Sequence, residues 1–339
     1  MASADSQSSV TLRDIAARAG VSVATVSRAL AGRGELSRRT RERVADAAEA
    51  LGYERGATQS GRPTSLDPHL IEFVLGSFDD AWTDAVTSGG RDAAFAAGYD
   101  LVLTLERSDP KNDWPTRVAT RRPSGVIIGI IQPTRRQLAE LRGLRIPIVL
   151  LDPRSEPDVA LSSVGTTDWQ GGYDAGAHLA NCGYERYVVV TGSPQYRFGR
   201  AREEGFRAAI AELRPAAEVI TVQSAWSDAP LTEELVRPLT YDRSVGVFAC
   251  NDEMALAVYR AAHAARRSIP ADVGVIGFND EARAAAASPA LTSVRQPLTD
   301  MAARAVHLIS ELRSHGADAH GRVELPTELI VRASTRTVS

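Results

Sequence analysis

From residue 69 onward, short apolar runs alternate with longer amphipathic stretches. The runs cover 71–75, 101–105, 125–131, 146–151, 187–191, 219–222, 245–249 and 273–278. They are rich in Val, Ile and Leu and predict strands. Stretches 82–97, 169–181, 200–213, 252–265 and 297–313 place apolar residues three and four apart and predict helices. Such alternation implies parallel sheets with helices on both faces. Eight or more strands over about 270 residues fit two doubly wound subdomains better than one. The head of the chain follows another pattern, with three short helical stripes: Leu12, Ile15, Ala16 and Ala19; Val26, Ala29 and Leu30; Val44, Ala47, Ala48 and Leu51.

The punctuation of the head is specific. Thr11 and Asp14 form a capping box for the first helix, and Gly20 ends it, since glycine enters the left-handed region without strain. Ser22 caps the second helix, 23–30, and Ser37 caps the third, which Gly52 closes. Two helices across a tight glycine turn, with a third behind, make a helix-turn-helix. In that motif the second helix enters the DNA major groove. Its outward side chains here are Val23, Ala24, Thr25, Ser27 and Arg28. Arg28 has the fork that pairs with guanine O6 and N7, while Val23 and Ala24 can meet only apolar edges such as thymine methyls. Ser22, Thr25, Ser37, Arg39 and Arg41 suit phosphates, which position a protein without reading sequence.

Charge supports this division. The 339 residues carry a net −3. Residues 1–43 hold eight arginines against four acids, a net of +4, which leaves −7 on the rest. A basic head on an acidic body places any polyanion contact in the head, although a short arginine-rich stretch is also compatible with a solvated helix face. No run of 18 apolar residues exists, so a spanning helix is not expected. The N-terminal residues lack a basic segment and an apolar core, so no secretory signal is expected. Cys182 and Cys250, far apart, suit a reducing cytoplasm and form no CxxC site. No metal or organic cofactor is implied.

In open parallel sheets, ligands bind at the carboxyl ends of strands. The loops there, near 75–82, 151–154, 191–202, 251–252 and 278–280, hold Asp152, Arg202, Asn251, Asp252, Asn279 and Asp280, and Gln296 stands with them. Trp82, Trp169 and Trp226 add flat apolar faces. Carboxylates, an arginine and a tryptophan platform match a sugar, which offers hydroxyl edges and C–H faces. Several of the same residues also fit as helix caps, Asp252 and Asp280 among them.

Residues 11–30, from Thr11-Leu12-Arg13-Asp14-Ile15-Ala16 through Gly20-Val21-Ser22 to Ser27-Arg28-Ala29-Leu30, resemble the headpiece of the LacI family of bacterial transcriptional regulators. Residues 37–53, ending Ala50-Leu51-Gly52-Tyr53, are similar to that family's third helix. The likeness continues through Val190-Thr191-Gly192-Ser193, Arg202-Glu203-Glu204-Gly205-Phe206, Cys250-Asn251-Asp252-Glu253, Gly277-Phe278-Asn279-Asp280 and Arg295-Gln296-Pro297. The resemblance implies a headpiece at 9–53, a linker at 54–68 and a periplasmic-binding-protein-like body at 69–336. Its subdomains would be about 69–162 plus 294–322 and 163–292 plus 325–336, with crossovers near 162–164, 292–294 and 322–325. It adds Thr11 and Leu12 to the DNA face. It makes Arg202 the clamp on effector hydroxyls, Asp152 an acid on the opposite wall, Trp226 a stacking surface and Asn251 a polar lining residue. Ser77 and Phe78 would line the amino-terminal wall with Trp82, and Phe198 would narrow the pocket or stack. Asn279 stands where the family usually has aspartate.

The linker departs from the pattern. The family's hinge helix carries a leucine that wedges into the minor groove; here Arg62 occupies that position, and Gly56, Gly61 and Pro63 disfavour a helix. Either Arg62 enters a narrow minor groove or 54–68 is a flexible tether. The expected function is a homodimeric repressor on a near-palindromic DNA operator, controlled by a small effector, with a sugar favoured. Helices 82–97 and 280–287, rich in alanine, are candidate dimer faces. Neither induction nor corepression is selected by the residues. The alternative is a cytosolic solute-binding or sensing protein without operator specificity. An enzyme is not expected, since Walker, HExxH, GxSxG and CxxC patterns are absent.

Overall fold

The computed structural model describes residues 10–30, 36–51, 68–106, 113–155, 161–315 and 321–337. The chain divides into two compact units, Met1–Thr64 and Ser65–Ser339. The first holds α1 (Leu12–Ala19), α2 (Val23–Leu30) and α3 (Arg38–Ala50) around Ile15, Ala16, Ala19, Val26, Val44, Ala47 and Ala48. Asp14 accepts from the Thr11 N–H at 2.8 Å and from its hydroxyl at 2.7 Å. Gly20 caps α1 at φ 61°, and the Thr25 N–H donates to Ser22 Oγ at 3.1 Å at the start of α2. Arg43 donates to the Ala19 carbonyl, which ties α3 to the end of α1.

In the second unit the chain runs β1 (Leu70–Leu75), α4 (Ala81–Ala96), β2 (Asp100–Leu105), α5 (Trp114–Arg121), β3 (Gly125–Gly129), α6 (Arg135–Gly143), β4 (Ile148–Leu151) and β5 (Ser162–Thr166). It continues through α7 (Asp168–Asn181), β6 (Arg186–Thr191), α8 (Arg197–Leu213), β7 (Val219–Gln223), α9 (Glu233–Val236), β8 (Val245–Ala249), α10 (Asp252–Ala264) and β9 (Val273–Asn279). It closes with α11 (Ala282–Ala286), β10 (Thr292–Arg295), α12 (Leu298–His315), β11 (Arg322–Leu325) and β12 (Glu328–Ile330). Two six-stranded sheets result, in the orders β11-β5-β4-β3-β1-β2 and β12-β10-β9-β8-β6-β7. All pairs are parallel except β10 with β12.

The period of two along β1 explains the first sheet's layers. Ile71, Phe73 and Leu75 join α12 residues such as Met301, Ala305 and Ile309 on one face. Val74 joins Trp114, Val118, Leu138 and Leu141, from α5 and α6, on the other. Glu72 is also fully buried; Arg121 Nη1 at 2.5 Å and Thr104 Oγ1 at 2.6 Å donate to its Oε1. The second sheet shares one core with α7, α8 and α10, built on Val188–Val190, Val247, Phe248, Phe206 and Leu179.

The segments read as crossovers are themselves strands. Residues 162–164 lie in β5, 292–294 in β10 and 322–325 in β11. The passages between the sheets follow each strand, at 166–168, 295–298 and 325–328. β5 and β10 escaped the apolar-run criterion because their buried positions hold Ser162, Ser163, Thr292 and Ser293, and β11 because it alternates charged with apolar residues and has no apolar run. Short side chains there satisfy neighbours directly: the Thr292 N–H donates to Ser334 Oγ at 2.7 Å. Helices α5 and α6 were also missing from the expected set, because each buries only a narrow stripe. The run 125–131 stops at Gly129, and Ile130 turns to φ 47°.

Candidate functional site

In the head unit, the outward face of α2 presents Val23, Ala24, Ser27 and Arg28, all exposed, with Thr25 half-buried. Val23 keeps 42% of its surface open, which leaves an apolar contact point on a helix whose Val26 is fully buried. Arg28 Nε donates to the Ala24 carbonyl at 3.3 Å, holding the side chain along that face. Ser22 and Thr25 share a hydroxyl hydrogen bond of 2.8 Å. Ser37 caps α3 by accepting from the Thr40 N–H at 3.2 Å, and Arg39 and Arg41 are exposed beside it. The Thr11 hydroxyl is engaged by Asp14, and Leu12 packs on the core. Arg62 lies outside the described residues, as does the linker's 54–67.

In the body, both sheets end their strands on one cavity of about 260 Å³. Ser77, Trp82 and Asp152 come from the first sheet's strand ends and α4. Phe198, Arg202, Trp226, Asn251 and Asn279 come from the second sheet's side, and Gln296 follows β10. Nine of the ten residues proposed from sequence therefore line it. Phe78 does not; it is 37% exposed, turned away by the bend after Ser77. Trp169 is likewise outside, exposed and stacked on Tyr173. Asp280 sits beyond the wall in ion pairs with Arg295 at 2.8 Å and Arg332 at 2.6 Å.

Arg202 is 2% exposed. Its Nε donates to Asp168 Oδ1 at 2.9 Å and its Nη1 to the Cys250 carbonyl at 2.7 Å. The guanidinium lies 3.7 Å from the Phe278 ring centroid. A buried guanidinium needs this much compensation. Close helix packing delivers it: a Cβ on Gly172 would overlap the Arg202 carbonyl oxygen, and one on Gly205 would overlap that of Trp169. Asp168 and Asp152 are both deeply buried, and burial raises both carboxyl groups. Asp152 rises to about 7, with Asp168 adding repulsion while Arg202, Arg197 and Gln296 pull it down.

Trp226 packs edge-on against Phe198 at 5.0 Å and Tyr196 at 5.5 Å. Gly192 and Gly199 make room for it, since a Cβ on either would collide with the indole. Asn251 anchors its amide on the protein at both ends: Oδ1 accepts from the Met254 N–H at 2.8 Å and one Nδ2 hydrogen goes to the Trp226 carbonyl at 2.7 Å. It is a cap that fixes the tryptophan loop. Gln296 Nε2 donates to Thr166 Oγ1 at 2.8 Å, and its Oε1 is buried without a partner. Asn279, at φ 104°, donates to Glu281 at 3.2 Å, and its Oδ1 is also unpartnered.

Asp80, Arg154, Tyr196, Ser227, Glu253, Glu281 and Arg283 also line the cavity and were missed. Asp80, Arg154 and Tyr196 stand inside the strand-end loops, where their polar or aromatic character was the signal, while Ser227, Glu253, Glu281 and Arg283 lie one to four residues beyond a residue already proposed. Arg283 bridges Glu281 at 2.6 Å and Glu253 at 3.0 Å. Asp252, fully buried, serves the fold: Ser293 Oγ donates to it at 2.6 Å and the Glu281 N–H at 2.7 Å.

Residues 11–55 match the family model for bacterial regulatory proteins of the lacI family, and residues 177–335 match that of the periplasmic binding protein-like domain. An HTH-type transcriptional regulator in the aml 5′ region of Streptomyces limosus is 30% identical, over 96% of this chain and 94% of its own. The HTH-type transcriptional regulator DegA of Bacillus subtilis is 28% identical, over 96% and 98%. Among solved structures, the complex of the transcriptional regulator CelR with cellobiose superposes with a TM-score of 0.70 and 27% identity, covering 96% of this chain and 99% of the other. Among the described residues no helix is long and apolar enough to cross a membrane. With its helix-turn-helix, its paired parallel sheets and full-length relatives that regulate transcription, this chain belongs to the LacI family of bacterial DNA-binding transcriptional regulators.

Proposed function

We propose that the chain is a cytoplasmic, homodimeric repressor whose operator affinity is set by a sugar-class effector in the cavity between the two sheets. The main support is the cavity itself, where a buried arginine, two carboxyl groups and an aromatic wall meet at the strand ends of both sheets. Cellobiose in the related CelR supports a sugar. The domain plan is a headpiece at 9–53, a linker at 54–68 and an effector body at 69–336.

Arg28 reads a base edge, Val23 and Ala24 meet apolar edges, and Ser22, Thr25, Ser37, Arg39 and Arg41 hold phosphates. Two such headpieces on a dimer address half-sites about 34–36 Å apart. A second copy would cover Phe95 on α4, 84% exposed, and Leu103 on the edge strand β2, 41% exposed. Exposed apolar side chains on an edge strand and its neighbouring helix favour burial against another chain.

The test is fluorescence-anisotropy titration of DNA from the protein's own promoter region, at two salt concentrations, with and without a sugar panel. Tight binding released by one sugar supports induction, and binding that needs the sugar supports corepression. Weak binding to any DNA, steeply dependent on salt, would refute operator specificity and favour a solute-sensing role.

A further inference from the structure

The charges lining the cavity are unevenly matched. Arg202 is paired with Asp168, and Arg283 with Glu253 and Glu281. Arg154 lies with its guanidinium 4.9 Å from the Tyr196 ring centroid and faces the Glu106 carboxyl. Asp152 is the most deeply buried carboxyl group of the lining, and among the described residues no cationic nitrogen comes within ion-pair distance of it. Two further acceptors of the lining, Gln296 Oε1 and Asn279 Oδ1, are buried without donors. Three donors of the lining, Trp82 Nε1, Arg154 Nε and Trp226 Nε1, are buried without partners too. In charge, however, the wall holds four carboxyl groups, Asp80, Asp152, Glu253 and Glu281, against three guanidinium groups, Arg154, Arg202 and Arg283, and Arg202 is already paired with Asp168. A hydroxyl would supply one donor and no charge; a primary ammonium supplies three donors and the missing charge.

We propose that the effector carries a protonated amine, in chemical class an amino sugar, and that Asp152 is its counter-ion. This rests on the cavity being the effector site. Asp152 faces Asp168 from α7, Arg197 and Arg202 from α8 and Gln296 after β10, and Arg322 of β11 stands across Gly165 from it. Without ligand this buried carboxyl group holds a proton near neutrality, and an ammonium takes that proton's place.

The probes are glucosamine, galactosamine and mannosamine, each compared with its neutral hexose, its N-acetyl derivative and the 6-phosphate of that neutral hexose, by calorimetric titration of the full-length protein from pH 5.5 to 9. At least one amine binds about tenfold or more tightly than its three counterparts, the equivalent of one pKa unit of charge recognition. Its affinity follows a bell, rising as Asp152 ionises and falling as the amine loses its proton. Asp152→Asn, which keeps the shape and removes the charge, abolishes the preference and flattens the bell. If that variant does not fold, the wild-type pH profile decides alone. A neutral or phosphorylated sugar binding as tightly as its amine, a flat profile for the amine, or no binding by any amine would overturn the proposal. Operator binding without ligand tests the regulator separately, so the two failures are distinguishable.

Discussion

Asp152→Asn isolates one buried carboxyl group at nearly constant volume. In the folded chain, burial and the neighbouring Asp168 hold the Asp152 carboxyl at about 7. In the unfolded chain it returns to about 3.9. A group whose pKa folding raises takes up a proton on folding between those values. The wild-type chain therefore loses stability as the pH climbs from about 4 to about 7 and is level above that. At 1.36 kcal/mol per pKa unit, the whole window is worth about 4 kcal/mol, of which more than half, roughly 2–3 kcal/mol, falls between pH 5 and 8. An entropy of unfolding of about 2.1 cal/mol/K per residue over about 270 residues converts this to about 4–5 °C. Asp252, also raised to about 7 by burial, titrates alike in both proteins and cancels in the difference. The measurement is differential scanning calorimetry of wild type and variant at pH 5, 6, 7 and 8. The Tm of the variant should gain on that of the wild type by about 4 °C from pH 5 to pH 8. Parallel profiles, or divergence in the other direction, would show that the carboxyl group is not buried in the form described.

Four further substitutions probe other layers. Arg28→Ala should cost about 1–3 kcal/mol at the operator and relax specificity at one base pair, whereas Arg39→Ala should weaken all DNA alike and lower the salt slope by about one; anisotropy titrations on matched and mutated sites separate the two. Gly172→Ala forces α7 from α8 at the Arg202 carbonyl, so a loss of about 3 kcal/mol is expected in calorimetry, with weakened effector response. Trp226→Ala should leave operator affinity in place and remove the response to effector, since it strips the aromatic wall and belongs to the second unit; an unchanged response would remove the indole from the site.

What the sequence displayed, and what it hid, follows from where the physical signal lies. The central strands β1, β3, β6, β8 and β9 are buried on both faces and show as unbroken apolar runs. Beside the crossings, β5 and β10 hide, because Ser162, Ser163, Thr292 and Ser293 satisfy buried polar groups with hydroxyls and so read as loops. The rule that ligands meet strand ends located the cavity loops, and nine of the ten proposed residues line it. It could not say what each side chain does there. Asn251 lines the cavity and at the same time caps α10 and holds the Trp226 carbonyl, a structural role that its position after β8 does not reveal. Arg283 and Glu281 stayed invisible because their roles depend on a three-way ion bridge with Glu253, a residue 30 positions from Arg283. Phe78 fell the wrong way because one bend after Ser77 decides which neighbour faces the cavity.

The cavity's polar residues are the same ones that join the two sheets, and this gives ligand binding a route to conformation. Gln296 stands on the passage from β10 to α12, and its side chain donates to Thr166, which opens the passage from β5 to α7. Asp168, the first residue of α7, holds Arg202 of α8. Asp152, at φ 49° after β4, faces that pair from the first sheet. A ligand that fills the unpartnered Gln296 Oε1 and meets Asp152 therefore acts on groups whose positions depend on the spacing of the sheets. It can shift that spacing only by the difference in its affinity for the two arrangements, so the contacts that matter are those that one arrangement makes and the other breaks. Charge contacts at Asp152 are the most distance-sensitive of these in a desolvated wall. A ligand matched to Asp152 thus supplies more leverage on the regulator than an equally tight ligand held by Trp226 alone, whose neighbours Gly192, Gly199 and Asn251 all belong to the second sheet's side.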